Sequence, residues 1–310
     1  MIIDSIQSAI GHTPLLRFTH QQFEEIPENS AIYAKLEYLN PGGSIKDRLG
    51  VYLIEEGLKQ GKLKEGTTII EPTAGNTGIG VALAALDAGL PTIFVVPEKF
   101  SLEKQALMRA LGATIVHTPT AEGISGAIKE AKRLHEEISD SYLPLQFENS
   151  ANPEAYYRSL GPELVEDLEE EITSFVAGIG SGGTFSGVAR YLLERNSAVR
   201  LIGVEPEGSI LNGGASHGHE IEGIGVEFIP EFLEGLPVTD FATISDDAGF
   251  AMTRRLAKEQ GTLIGSSAGA AMVAALSEIA KLPAGSQVVT IFPDAGDRYL
   301  SKEIYSREVY

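Results

Sequence analysis

Strand-like runs of Val, Ile and Thr alternate with helix-period segments along most of the 310 residues, which predicts an α/β fold of two doubly wound parallel-sheet domains. Three observations carry this prediction. The apolar runs are continuous, as in strands buried on both faces; helical segments separate them; and the chain is long enough for two cores.

The elements follow in order. At 41–50, PGGSIKDRLG opens a helix: Pro41, Gly42 and Gly43 read as a turn, Ser44 and Asp47 have capping-box spacing, and Ile45, Leu49, Leu53 and Leu58 recur along one face. Lys46 falls in the first turn, where the helix dipole disfavours an ammonium. TTIIE at 67–71 precedes a helical TGIGVALAALDAG, TIFVVP at 92–97 precedes SLEKQALMRALG, and ATIVH at 113–117 precedes a helix carrying Ile124, Ile128, Ala131 and Leu134. Turn formers gather over 147–161, where a domain crossing is expected. Beyond it, the acidic run ELVEDLEEEI keeps Leu164, Leu168 and Ile172 at helical spacing and reads as a solvated helix face. The strands SFVAGIG, VRLIGVE and QVVTIF complete the alternation, and ten Gly and Pro between 206 and 238 predict an irregular surface segment.

Composition narrows the function. With 43 acidic and 24 basic residues the formal charge is −19, which repels nucleic acid and anionic membranes, so neither is expected as a partner. Cysteine is absent, excluding disulfides, thiolate nucleophiles and sulfur-ligated zinc or haem. No signal peptide or spanning run is read, and a cytoplasmic protein is expected. His217 and His219 read as loop residues, and no metal site is expected.

In open parallel sheets ligands bind at the carboxyl ends of strands, and three unusual loops fall there. EPTAGNTG (71–78) offers Thr73, Asn76 and Thr77 beside helix N-terminal amides, a setting for a carboxylate or phosphate, though an ordinary N-cap turn has the same residues. GIGSGGTFSG (178–187) places Gly178, Gly180 and Gly183 at dinucleotide spacing, with Glu205 where a ribose-binding acid would sit. The amides from Gly180 to Thr184 would cradle a phosphate monoester equally well. GSSAGAAM (265–272) brings Ser266 and Ser267 before a small-residue helix, where Ser267 reads as a cap or a ligand-facing hydroxyl. A lysine near positive dipoles is a usable amine nucleophile, and a carbonyl compound with one phosphate that suits a lysine and a glycine loop is pyridoxal phosphate. A nicotinamide oxidoreductase remains the competing reading, and it leaves Lys46 and the 71–78 loop without a role.

NPGGSIKDR, EPTAGNTGIG, QFENSANPEAYY, GIGSGGTFSG, EGIGVEFIP and GSSAGAAM stand in the order seen in the cysteine synthase and cystathionine β-synthase family, pyridoxal phosphate enzymes of fold type II, and the chain resembles that family over nearly its whole length. GGSIKDR, PEGSIL and EGIGVEFIP are most similar to the catalytic core of cystathionine β-synthases, of the O-acetylserine-dependent bacterial type. The resemblance implies β-replacement on O-acetylserine or serine, with homocysteine as thiol giving cystathionine, or sulfide giving cysteine, and hydrogen sulfide release as a side activity. It implies that Lys46 forms the Schiff base and moves the Cα proton, that Asn76 bonds the ring hydroxyl, and that Gly180, Ser181, Gly182, Gly183 and Thr184 hold the phosphate. Ser267 would face the pyridine nitrogen, and Thr73, Ala74, Asn76, Thr77 and Gln146 would take the substrate carboxylate. Ala74 departs from the serine common in the family at this place. A smaller mobile domain over 35–148, a larger phosphate-binding domain over 1–34 and 149–310, and a homodimer are also implied.

Overall fold

The computed structural model describes residues 2–73 and 75–306. In chain order the elements begin with β1 (Leu15–Phe18), β2 (Ala31–Leu36), α1 (Lys46–Lys59), β3 (Thr68–Pro72), α2 (Asn76–Asp87), β4 (Thr92–Pro97) and α3 (Leu102–Ala110). They continue with β5 (Thr114–Thr118), α4 (Gly123–Glu137), β6 (Ser141–Tyr142), α5 (Ala151–Arg158) and α6 (Leu160–Asp167). The last are β7 (Ser174–Gly178), α7 (Gly183–Leu193), β8 (Arg200–Pro206), β9 (Asp240–Ile244), α8 (Asp246–Gln260), α9 (Ser266–Ile279) and β10 (Gln287–Phe292). Between β8 and β9 only a short 3-10 turn, Glu231–Leu233, interrupts irregular chain, as its Gly and Pro content predicts.

The chain divides into two compact units, Met1–Gly11 with Asn40–Ala155 and His12–Leu39 with Tyr156–Tyr310, and the division falls inside α5. The first unit holds a parallel sheet in the order β5-β4-β3-β6. Helix α4 covers one face with Ala127 and Ala131 against Ile70 and Val95. Helices α1 and α2 pack on each other through glycines. A Cβ on Gly50 would strike the Gly80 carbonyl, and one on Gly80 would strike the Lys46 carbonyl, so the two backbones touch within one turn of Lys46. On α1, Ile45, Leu49 and Leu53 are buried as the spacing predicts, but Leu58 is exposed; Ile54 and Gly57 are buried in the later turns, with Leu63 packed against Gly57.

The second unit carries a sheet ordered β1-β2-β10-β7-β8-β9, parallel except for the antiparallel β1–β2 pair. Every residue of β10 is buried, as the apolar run QVVTIF requires of a central strand. Helix α9 is apolar and small-sided almost all round and is correspondingly buried. It meets α8 through a second glycine pair: a Cβ on Gly269 would strike the Gly249 carbonyl and the Thr253 hydroxyl. The acidic run is solvated at Glu166, Asp167 and Glu169–Glu171, as read, but departs from that reading at Glu163, which is buried. Helix α6 ends at Asp167, before Ile172, and Glu163 and Asp167 bind the fully buried ammonium of Lys35 at 3.0 and 2.8 Å. No described helix is long and apolar enough to cross a membrane.

Replacing Gly80 by Ala tests the α1–α2 contact. Helix propensity gains up to about 1 kcal/mol, whereas forcing a methyl into packed backbone costs about 1–3 kcal/mol or more. A net loss of stability in urea denaturation is therefore expected for Gly80→Ala. Gly218→Ala, where a Cβ meets open space, serves as the control and should change little.

Candidate active site

In the first unit, Lys46 is the first residue of α1. The predicted capping box does not close. The Ser44 hydroxyl accepts the Lys46 amide at 3.2 Å, while the buried Asp47 carboxylate reaches back to the Gly42 amide at 2.5 Å and ties down the Pro-Gly-Gly turn. The reason is geometric: the residue before Lys46, Ile45, is already helical, so it occupies the cap position and Ser44 lies one residue too early.

The 71–78 loop leaves β3 and enters α2 at Asn76. Thr73 Oγ1 accepts the amides of Gly75 at 3.0 Å and Gly78 at 3.2 Å, so this hydroxyl first organises its own loop. A Cβ at Gly75 would run into the stem of Lys104, a buried lysine that sequence reasoning passed over. Thr77 donates its hydroxyl to Gln146 Oε1 at 2.8 Å, bringing together two of the predicted carboxylate ligands from segments 69 residues apart. With Oε1 engaged, the Gln146 amide nitrogen is left as the donor of that side chain. Ala74 lies outside the described residues.

Glu71 was also missed, and its environment is unusual. It is fully buried, and its two oxygens accept the successive amides of Leu145 at 2.9 Å and Gln146 at 3.1 Å. Burial pushes its carboxyl up to about 8, against the pull of the two amide bonds. The sequence signal was an acid ending an apolar strand, because such a buried charge needs named partners.

In the second unit, the glycine loop follows β7 and opens α7. Gly182 is the N-cap, in the left-handed region at φ +83°, and no side chain caps the helix. The first-turn amides that start at Gly183 and Thr184 thus have no intrahelical acceptor. A Cβ at Gly180 would approach the Gly223 carbonyl to 2.6 Å, so the loop backbone is held close to the 223–225 segment. Ser267 is the second residue of α9, behind an N-cap at Gly265, and therefore is not the cap. It is buried, and its hydroxyl has no hydrogen bond among the described residues. The Gly265 amide donates to the Asp294 carbonyl just past β10, and β10 pairs with β7, so the serine and the glycine loop both sit at the carboxyl edge of this sheet.

The family profile described as pyridoxal-phosphate dependent enzyme matches residues 6–294. The chain belongs to this family. A cysteine synthase from Helicobacter pylori is 68% identical over 305 residues, covering 98% of this chain and 99% of that protein. An O-acetylserine dependent cystathionine β-synthase from Bacillus subtilis is 54% identical over 304 residues, covering 98% of each. The crystal structure of O-acetylserine dependent cystathionine β-synthase from H. pylori superposes with a TM-score of 0.96 at 68% identity, covering 98% of this chain and 99% of that one.

The residues present suit the family's cofactor. A glycine loop with uncapped helix amides suits one phosphate, and a buried hydroxyl without a protein partner suits a polar ring atom. The nicotinamide reading fails at its acid. Glu205 is fully buried and accepts the amides of Leu211 at 2.8 Å and Asn212 at 3.1 Å and the Thr243 hydroxyl at 2.9 Å, so no ribose is left for it to bind. His217 and His219 bond loop carbonyls through their Nδ1 atoms.

The raised Glu71 carboxyl makes a signed prediction. Between pH 4.5, the ordinary glutamate value, and about 8, the native state keeps a proton that the unfolded chain has released. Stability from this group is therefore full below 4.5 and is lost as pH rises through 8. The ionisable neighbour Tyr142 is itself raised, by burial first and then by the charges of Glu71 and Glu56, and titrates above this window. Urea denaturation from pH 5 to 8 should show a shallower decline for Glu71→Gln than for the unaltered protein.

Proposed function

We propose that this chain catalyses β-replacement on O-acetylserine or serine. The β-substituent is exchanged for a thiol, homocysteine giving cystathionine in the main reading and sulfide giving cysteine in the alternative. The observation that carries this is the paired Thr77–Gln146 contact in the same unit as Lys46, in a chain 68% identical to a cysteine synthase and 54% identical to an O-acetylserine dependent cystathionine β-synthase.

Pyridoxal phosphate, when bound, supplies an electron sink for the carbanion at the amino acid Cα. In the first unit Lys46 would hold the cofactor aldehyde through its amine and afterwards take the Cα proton at Nζ as general base. Thr73, Asn76, Thr77 and Gln146 would bind and orient the substrate carboxylate, with Asn76 also bonding the ring hydroxyl. In the second unit the amides of Gly180, Ser181, Gly182, Gly183 and Thr184 would hold the phosphate. Ser267 would meet the ring nitrogen with a neutral hydroxyl. Unlike an aspartate, it does not enforce a protonated ring, which favours loss of the β-substituent over transamination.

Cysteine in place of O-acetylserine, with homocysteine as thiol, would release hydrogen sulfide by the same exchange. The absence of cysteine and the charge of −19 support a cytoplasmic enzyme of amino-acid biosynthesis and transsulfuration that binds no nucleic acid or membrane. A homodimer fits the symmetric assemblies common among enzymes of this size.

Two experiments test the reading. O-acetylserine and serine, each crossed with homocysteine and sulfide, should give cystathionine from O-acetylserine and homocysteine with the highest specificity constant. A preference for sulfide would select the alternative, and no product in any pairing would reject both. Independently, borohydride reduction with pyridoxal phosphate present should leave the cofactor mass on the peptide containing Lys46. An unlabelled peptide would remove the assigned amine.

A further inference from the structure

Gln146 is held at three atoms. Its amide donates to Glu71 Oε1 at 3.1 Å, its carbonyl accepts Asn152 Nδ2 at 2.8 Å, and its side-chain oxygen accepts Thr77 at 2.8 Å. The preceding residue, Leu145, sits in the left-handed region at φ +53°. For a leucine this conformation costs about 1–2 kcal/mol, so the segment stays there only if something outside it holds it. Glu71 Oε2, which accepts the Leu145 amide at 2.9 Å, supplies such a hold from the strand, beside the bonds that Glu148 and Asn149 make to the Leu145 carbonyl.

Thr73, two residues beyond Glu71, accepts the amides of Gly75 and Gly78 and so fixes the start of α2, where Thr77 lies. One strand end thus anchors both partners of the Thr77–Gln146 bond: Glu71 anchors the glutamine side and Thr73 the threonine side. A carboxyl group suits the first task, because two successive amides need two acceptor oxygens and a glutamine side chain offers only one. The second unit repeats the device. Glu205, also followed by proline at a strand end, holds the successive amides of Leu211 and Asn212.

We propose that Glu71 is a positioning residue for the reaction, fixing Gln146 against Thr77 so that the pair presents a preformed subsite to the amino-acid carboxylate. This rests on the assignment of Thr77 and Gln146 as carboxylate ligands made above. Glu71 touches no reacting atom, and it acts through residue 146.

The test is a double-substitution cycle with a second readout that needs no turnover. Glu71→Gln should raise KM for O-acetylserine about tenfold, as expected for weakening one hydrogen bond to a charged group, and change kcat less than about threefold. In a Gln146→Ala background the same substitution should add less than about twofold, because its target is gone. An unchanged KM, or an equal effect in both backgrounds, would overturn the proposal.

Hydrogen exchange on cofactor-free protein gives the second readout. The amides of Leu145 and Gln146 should be protected in the unaltered protein and exchange faster in Glu71→Gln, with those of Gly75 and Gly78 unchanged. Unprotected 145 and 146 amides in the unaltered protein would overturn the proposal even if the variant failed to fold. Unaltered protein that turns over neither O-acetylserine nor serine would count against the proposed reaction, while the exchange data would still decide what Glu71 holds.

Discussion

Two helices can touch backbone to backbone only where neither presents a side chain, and α1 and α2 meet this condition at Gly50 and Gly80. The contact has a chemical consequence because of where it falls. Gly50 is four residues after Lys46, and Gly80 is four residues after Asn76, so each residue proposed for chemistry stands one turn before the crossing. The Lys46 carbonyl lies against Gly80 itself. A side chain at either glycine would push the first turns of both helices apart. The second unit has a related one-sided contact, with Gly269 of α9, two residues past Ser267, lying against the Gly249 carbonyl and the Thr253 hydroxyl of α8, while Gly249 itself makes room for Ile221. Helix propensity alone would favour alanine at all four positions, and packing overrides it.

Carboxyl groups, fully buried at Glu71 and Glu205 and half-buried at Asp246, fix local geometry in both units. Glu71, Glu205 and Asp246 each take two backbone amides from one segment, those of residues 145–146, 211–212 and 220–221. Such groups add little net stability, because desolvation cancels much of what the hydrogen bonds give. What they provide is a defined path for segments that have no ladder of their own. The long irregular run between β8 and β9 is tied down at two of these points. The loop before α5 that carries Gln146 is tied down at the third.

Much of this was legible in the sequence wherever the signal was local. The continuous apolar runs that became β3, β4, β7, β8 and β10 were readable because each is buried between two neighbouring strands, and β5, an edge strand and partly exposed, was readable from its Ile115–Val116 pair alone. β2 was not, since AIYAKL carries Lys35, whose buried ammonium is explained only by Glu163 and Asp167 more than a hundred residues later. β6 is two residues long, and β9 is partly exposed and opens with Asp240. The same distance effect hid Glu71, whose partner amides are 74 and 75 residues away, and it turned a solvated-looking acidic helix into a lysine site. Within the candidate site, residue types and loop positions could be read directly. That Thr73 serves its own loop before any substrate, and that Ser267 lies inside α9 and not at its cap, required coordinates.

The carboxylate subsite also limits what this structure can discriminate. Serine, O-acetylserine and cysteine share the same α-carboxylate, so under the proposed assignment Thr77 and Gln146 would bind them alike and would contribute uniform binding, not selectivity among them. Choice of thiol has to arise elsewhere. Homocysteine brings a second carboxylate and an ammonium, and a site built to pair with them would leave buried polar groups unmet when sulfide enters. Sulfide offers nothing comparable to reject, so a sulfide-selective site must exclude the larger thiol by shape. The two readings therefore differ in sign on one substitution: trimming a polar side chain that serves homocysteine would weaken that thiol strongly and leave sulfide nearly unaffected, whereas widening a shape-selective site would admit homocysteine without weakening sulfide.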